Sequence, residues 1–412
     1  TVHAAPTDKF DRELVEGLAQ RALALAEELN DHETQAKIYW NLMNMSGFSG
    51  EMEKGYTYGV RSLEIARQYE LREQLAYTLN DFQRMKMMVN QMDDARKMVE
   101  EAQQLWLELG NKAMYIDSLV SSALLHMVLG EYAKVEHLCL EALKLSQEIG
   151  NLWGQSYSYY TLGFLYTEQS RFTQALDVMH HARRLAEPSG FVMPLIDCNT
   201  YTGLIYGYLG DYERGKSFAL AALQNARERI PALQPGPLSV LAIMDFWQDN
   251  PDAMDGWLGD TDPAPELHSF SGFERFVAEC YRLTAKGAYE PLLDLTATVL
   301  PNVQPFGALV FLAEIYRLNG NAMLALNRLE EARQFLEKAR VAAAHSPHRK
   351  IDVYNTFSRL ETASGNREEA AAYLFEARKN IEIVLNNIPE PHLHTAYLAR
   401  PQIKAILDAE TP

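Results

Sequence analysis

The chain has 412 residues, of which 47% are hydrophobic and 23% charged, with a formal net charge of −17 and a pI near 5.1. That balance lacks the basic footprint that displaces counterions from nucleic acid, and it opposes an anionic membrane surface. No apolar stretch reaches the roughly 18 residues needed to span a bilayer, and residues 1–10 lack the basic start and apolar core of a signal peptide. Cys139, Cys198 and Cys280 show no paired spacing. They fit neither a zinc site nor a disulfide framework, but small buried hydrophobes in a reducing, cytoplasmic setting.

The dominant pattern is a repeat. Ala22, Ser62, Ala102, Ala142, Ala182 and Ala222 are each 40 positions apart. A stack of near-identical units demands such a register, because each unit places a small side chain where a neighbouring helix comes closest. The expected fold is therefore all-α, an α-solenoid of about nine helix-turn-helix units.

In chain order, residues 8–29 form a helix that aligns with the second helix of the first full unit, Ala22 falling opposite Ser62. Its own first helix is missing. Either more protein lies upstream of Thr1, or this helix acts as an unusual cap. Methionines gather at Met43, Met45, Met52, Met85, Met87, Met88, Met92 and Met98, as filler between units or as a surface that adapts to partners. The third unit turns at Gly130-Glu131-Tyr132. The fourth shows the pattern best. Its first helix carries Tyr157, Tyr159, Tyr160, Leu162, Gly163 and Tyr166, and its turn is Ser170-Arg171-Phe172. Its second helix carries Ala175, Met179, Ala182 and Leu185. The fifth has Gly203, Tyr206, Gly210-Asp211-Tyr212, Gly215 and Ala222. Gly110-Asn111 and Gly150-Asn151 suit left-handed stops between units.

Residues 230–306 break the register with Pro231, Pro235, Gly236, Pro237, Pro251, Pro263, Pro265, Pro301 and Pro305. Prolines there are expected to end helices, leaving short ones at 238–247, 252–258 and 270–286. The stretch reads as degenerate repeats or as a hinge. An eighth unit has Leu309, Leu312-Ala313, Tyr316, Ala325 and Ala332. A ninth keeps Ala370 and Ala377 after Gly365-Asn366. Two short helices at 392–399 and 401–409 form a C-terminal cap. The expected organisation is a regular array over 1–230, the irregular stretch over 231–306, two further units over 307–388 and the cap over 389–412.

On Tyr159, Leu162-Gly163, Tyr166, Ala175 and Ala182, with their counterparts in the other units, the chain resembles the tetratricopeptide repeat family, in a 40-residue form. The resemblance implies a right-handed superhelix whose first helices line a concave groove. Carried over by register, the groove residues are Lys37, Trp40 and Asn44; Tyr77, Asn80, Arg84 and Met88; Asp117, Val120, Leu124 and Met127; Tyr157, Tyr160, Phe164 and Glu168; and Asp197, Thr200, Leu204 and Tyr208. Aromatic anchors among polar groups suit a peptide or protein segment; longer helices could instead bury some of these rings. Trp40 and Tyr160 are the ones expected to be most exposed. The paired Lys/Arg clamp used for C-terminal carboxylates is missing.

No phosphate loop, metallopeptidase, nucleophile-elbow or dinucleotide motif occurs. No enzymatic activity and no cofactor are expected. His180-His181 diverge by about 100° on a helix. With His345, His348, His392 and His394 they read as surface or capping residues rather than metal ligands. Residues 71–81, 149–157 and 397–401 look like the C-terminal arrays of bacterial signalling proteins: cyclases, LuxR-type regulators and kinases carrying a STAND-type NTPase. That resemblance implies a sensor arm that binds a protein, a peptide or a small inducer and controls an upstream effector domain, with neither nucleic acid nor membrane contacted by this segment. The alternatives are a stand-alone scaffold joining proteins, and a relative of peptide-pheromone receptors.

Overall fold

The computed structural model describes residues 12–259, 270–303, 309–388 and 390–410. The readings that fall on residues 1–11, 260–269, 304–308, 389 and 411–412 lie outside them, including Pro263, Pro265 and Pro305. Among the described residues the regular elements are helical. Helices α1 (Arg12–Glu28), α2 (His32–Phe48), α3 (Met52–Gln68), α4 (Arg72–Met88), α5 (Met92–Glu108), α6 (Lys112–Val128) and α7 (Tyr132–Glu148) are 17 residues each. The rhythm continues through α8 (Leu152–Glu168), α9 (Phe172–Ser189), α10 (Met193–Tyr208) and α11 (Tyr212–Arg229). Even-numbered helices of this run are the first, or A, helices of each unit; odd-numbered ones are the B helices.

The 40-residue period is two copies of one device: a 17-residue helix and a three-residue turn whose middle residue is left-handed. Positive φ falls at Asn30, Gly50, Glu70, Asn90, Gly110, Gly130, Gly150, Ser170, Gly190 and Gly210, every twentieth residue. Where the residue after it is Asp or Asn, its side chain caps the next helix. Asp31 accepts from the Thr34 N–H at 3.1 Å, Asn111 from Met114 at 3.1 Å and Asn151 from Gly154 at 3.1 Å. Glycine and asparagine suit this geometry, and an ordinary side chain does not. Glu70, at φ 51 and exposed, and Ser170, at φ 57 and buried, are the outliers. Glu70→Gly should therefore stabilise the chain by about 0.5–1 kcal/mol; an unchanged or lower urea midpoint would count against strain at this turn.

The small-residue register has its expected cause. Ser62, Ala102, Ala142, Ala182 and Ala222 are all 0% exposed. Ser62 Oγ donates to the Ala36 carbonyl on its own A helix at 2.8 Å and lies 2.7 Å from Thr78 Oγ1 on the next. The position is thus wedged between two A helices. Apolar volume fills the remaining space: Trp106 is fully buried against Ala76, Leu79 and Ala102, and Met43, Phe82 and Met85 form the adjoining cluster. Met45 and Met87 are buried too, so these four methionines act as filler. All three cysteines are free and buried.

After a 3-10 turn at Pro231–Leu233 come α12 (Pro235–Trp247), α13 (Pro251–Leu258), α14 (Phe270–Ala285) and α15 (Tyr289–Val303). The prolines expected to end helices mostly open them. Pro235 and Pro251 occupy first turns, where an absent N–H is no loss and a fixed φ helps. The same holds for Pro347, Pro391 and Pro401 further on. Helix α15 was not anticipated.

Helices α16 (Leu309–Ala325), α17 (Leu329–Ala342), α18 (Pro347–Ser364) and α19 (Arg367–Leu385) follow, then α20 (Pro391–Ala399) and α21 (Pro401–Asp408). The ninth unit lies in the expected register, with Gly365 left-handed and Ala370 and Ala377 at 0% exposure. The eighth is displaced by two helical turns. Ala325 ends an A helix instead of opening a B helix, the left-handed residue is Asn327, and the small B-helix positions are Ala332 and Ala339. Gly320 lies inside α16, where a Cβ would meet Leu336 at 2.7 Å.

The architecture is an α-solenoid of helix-turn-helix units. It divides into two compact units. The first takes Thr1–Leu162, Met179–Cys198 and Gln224–Gln234; the second takes Gly163–Val178, Asn199–Leu223 and Pro235–Pro412.

Candidate functional site

In the first unit, a polar ladder joins each A helix to the next. Asp81 Oδ2 on α4 accepts from Trp40 Nε1 at 2.8 Å and from Asn44 Nδ2 at 3.0 Å, both on α2. One step on, Asn80 Nδ2 donates to Asp117 of α6 at 2.9 Å. Further along, the Tyr160 hydroxyl donates to Asp197 of α10 at 2.8 Å. The pairs Asn44–Asp81, Asn80–Asp117 and Tyr160–Asp197 all span 37 residues. A donor on one A helix thus meets a carboxylate one turn earlier on the following A helix, since three residues short of a 40-residue period is about one helical turn.

Arg84 stands in the middle of this face. Its guanidinium is 3.4 Å from Asp81 Oδ1, and its side chain remains 36% exposed. Burial works to lower its pKa, but Asp81, Tyr157 and Asp117 outweigh that and hold it above its ordinary value. Asp117 is pushed up to about 6, first by burial and then by the Asp81 charge, with Arg84, Asn80 and Trp153 pulling the other way. Asp197 is likewise pushed up to about 6 by burial, the Tyr160 hydrogen bond opposing.

The aromatic candidates are largely committed to packing. Tyr77 is half-buried between Trp40, 5.2 Å away, and Trp106, 4.8 Å away. Tyr157 and Tyr160 are 8% and 7% exposed, each edge-on to Phe191. Tyr160 is therefore not the exposed anchor the sequence suggested: its ring is core and its hydroxyl a ladder rung. Trp40 is half-buried, Asn80 buried and Lys37 exposed. The accessible part of the face is Lys37, Trp40, Asn44, Tyr77, Arg84, Met88, Asp117 and Leu124, with Val120 and Met127 buried. Register reasoning missed Asp81, the most heavily bonded member, and Trp153. Their only sequence signals are adjacency to Asn80 and one turn's separation from Tyr157.

The remaining candidates belong to the second unit, in which distant segments of the chain close on each other. Arg349, at the start of α18, forms a two-pronged pair with Glu168 at the end of α8, with Nη2–Oε1 at 2.9 Å and Nε–Oε2 at 3.2 Å. The side chains are only 12% and 5% exposed. Ser346 Oγ donates to the Glu168 carbonyl at 2.7 Å. The Ser170 hydroxyl accepts from the His348 N–H at 3.0 Å and lies 2.9 Å from Nδ1. Burial, then the Arg349 and Arg400 charges, press the His348 pKa well below the ordinary range. The neutral ring and the Ser170 hydroxyl share one hydrogen bond, which either can donate. His348 is thus a buried clasp residue rather than the surface or capping residue expected. Arg400 donates to the Tyr208 carbonyl at 2.7 Å, and Thr173 to the Asn387 carbonyl at 3.0 Å. Gly210 admits this closure: it is left-handed, and a Cβ would meet the Ala396 carbonyl at 2.6 Å.

Glu168 is thereby fully engaged as a structural ion. Tyr208 is half-buried against Trp247 and His348, 4.8 and 4.6 Å away, and its hydroxyl is pushed up to about 12, chiefly by burial. Phe164 packs edge-on to Tyr201 at 4.4 Å, and Thr200 is 2% exposed. A second buried charge cluster joins Glu314, Arg317 and the Tyr281 hydroxyl. Asp352 lies in the field of Arg317, Glu314, Arg400 and Arg349, and burial raises its pKa.

Among the described residues no group of three or more His, Cys, Asp or Glu side chains could hold a metal ion, and no helix is long and apolar enough to cross a membrane. No family model and no curated protein matches the chain. Solved structures similar to it include a tetratricopeptide repeat protein from Parabacteroides merdae, at 14% identity and a TM-score of 0.38, covering 69% of this chain and 98% of that one. Another is yeast Tom70, at 12% identity and a TM-score of 0.36, covering 96% and 99%. At these values the assignment of a helical solenoid rests on the chain's own repeat.

Proposed function

We propose that the chain is a protein-interaction scaffold and that the A-helix face of its first unit takes a peptide or protein segment. One observation carries the reading: Arg84 stays 36% exposed amid Asp81, Asp117 and Tyr157, beside the half-buried rings of Trp40 and Tyr77. The ladder fixes these groups on rigid helices before any ligand arrives, which limits the ordering entropy lost on binding. The net charge of −17 favours a segment with basic residues around an apolar anchor.

The test is selection of 12-residue peptides from a displayed random library. Binders should be basic and aromatic-rich, and Trp40→Ala or Arg84→Ala should each weaken them about tenfold or more, the size of a modest hot spot. If every selected peptide binds both variants as well as the parent, the face is not the site.

The sensor arm of a signalling protein is the finer form of this proposal. Two of the three resembling stretches, 71–81 and 149–157, contribute to this face through Tyr77, Asn80, Asp81, Trp153 and Tyr157; the third, 397–401, belongs to the second unit. A sensor also requires a ligand that binds two states of the array with different affinity. The small-inducer version predicts a bound-state change in amide exchange at α4 and α8, where the scaffold version predicts protection at the contact face alone.

A further inference from the structure

Where α10, α18 and α20 of the second unit meet, two opposite charges stand unmatched. The neighbouring buried ions are paired off, Glu168 with Arg349 and Glu314 with Arg317. Asp352 is not. Its carboxylate has no hydrogen-bond or ion-pair partner among the described residues, and its bond with Thr356 is made through the backbone carbonyl. Arg400 pairs with no carboxylate among them either. Its Nη1 donates to the Tyr208 carbonyl at 2.7 Å, and its guanidinium lies 5.1 Å from the Trp247 ring centre. Its Nε, in a residue only 8% exposed, meets no acceptor.

The two charges share one locality. Asp352 follows His348 and Arg349 by one helical turn, so it stands on their face of α18, within the field of Arg400. Tyr397, one turn before Arg400, lies in the fields of both Arg400 and Asp352. It is 2% exposed, and its hydroxyl has no partner. Tyr208, with its ring 4.6 Å from His348 and 4.8 Å from Trp247, brings a second hydroxyl into the field of Asp352. Asp352 and Tyr208 are half-buried, which leaves one side of the junction open to solvent.

An unmatched charge taken out of water is costly, and a buried donor without an acceptor adds to the cost. A ligand with only one charged end would satisfy one of the two ions and leave the other as it is. A ligand with both ends satisfies the pair and brings no net charge into the site. We propose that this junction binds a compact zwitterion of the amino-acid class, its carboxylate held by Arg400 and the Tyr397 hydroxyl and its ammonium by Asp352 and the Tyr208 hydroxyl. Bound in this way it ties α18 to α20. The site belongs to the second unit and does not depend on the peptide reading of the ladder face.

The probes are glycine, β-alanine and 4-aminobutyrate, which set the two charges progressively further apart, with acetate and methylammonium as the separate halves. Each is titrated into the full chain and followed by calorimetry and amide exchange. At least one zwitterion is expected to bind saturably, at about 10⁻⁴ M, and to slow exchange in both α18 and α20. Each half should bind at least ~10-fold more weakly. Asp352→Asn should weaken the zwitterion by about tenfold or more with helicity unchanged, since the side chain keeps its size and is half-buried. Tyr208→Phe keeps the ring packing and loses only the hydroxyl; it should weaken binding about fivefold, and it carries the test if Asp352→Asn does not fold. No saturable binding of any of the three zwitterions overturns the proposal, as does a half that binds as tightly as the best of them. So does binding that survives both substitutions unchanged, since the ligand then sits elsewhere.

Discussion

Arg349→Ala is expected to destabilise the second unit by about 3–5 kcal/mol, the range for removing one partner of a buried ion pair. The reason is what it leaves behind. Glu168 is 4% exposed, and without the guanidinium its carboxylate faces the Ser346 hydroxyl at 3.3 Å and little else. Replacing both partners, with Glu168→Leu and Arg349→Met, should recover most of the loss, because the penalty arises from the orphaned charge rather than from a missing attraction. Urea denaturation of parent, single and double variants gives the comparison. Amide exchange in α18 and the end of α8 should accelerate in the single variant before the first unit responds. A loss below about 1 kcal/mol would place the pair in the class of solvent-screened surface bridges and refute the clasp.

That clasp was invisible in the sequence, and the ladder half visible, for one physical reason. Periodicity reports contacts between elements a fixed distance apart. The left-handed turns, the buried small residues and the 37-residue rungs all recur, so the helices and the A-helix face could be located from Ala22, Ser62 and their successors. The pairing of Glu168 with Arg349, or of Ser170 with His348, happens once, across 181 and 178 residues. Nothing local distinguishes His348 from a loop histidine, or Glu168 from a groove carboxylate. The aromatic reading failed differently. Register places Tyr160 on the correct helix face, but ring burial depends on what stands opposite, and Phe191 comes from an irregular turn after Ser189-Gly190 that the pattern does not describe. At the eighth unit the register itself slips: the sequence places Ala325 at the opening of a B helix, but it ends α16. Small residues seven apart recur at Ala325, Ala332 and Ala339, and two placements fit the pattern equally.

Asp117→Asn is expected to stabilise the first unit at pH 7.5 and to leave it unchanged near pH 4. Asp117 titrates near 3.8 when unfolded and near 6 when folded. Between those values the folded chain holds a proton that the unfolded chain has released, so lowering the pH favours folding. Above 6 both states are ionised, and the full penalty of a poorly solvated carboxylate near Asp81 is present. A shift of about two units corresponds to roughly 3 kcal/mol at most; because Asp117 is half-buried, about 1–2 kcal/mol is the better expectation. Asn keeps a carbonyl oxygen to accept from Asn80, so the ladder survives. His348 acts in the opposite sense. Its folded pKa lies below its unfolded one, and acid removes stability as the unfolded ring takes up its proton. The informative quantity is therefore the difference between parent and variant, followed from pH 4 to 8 by urea denaturation. A gap that opens between pH 4 and 6 and then stays flat ties the strain to this carboxylate. A gap of constant size at every pH would mean that Asp117 acts through packing alone. If the variant also loses the peptides selected on the Trp40–Arg84 face, the chain tolerates a strained carboxylate there because binding requires its charge, a stability–function trade of the kind expected at a working site.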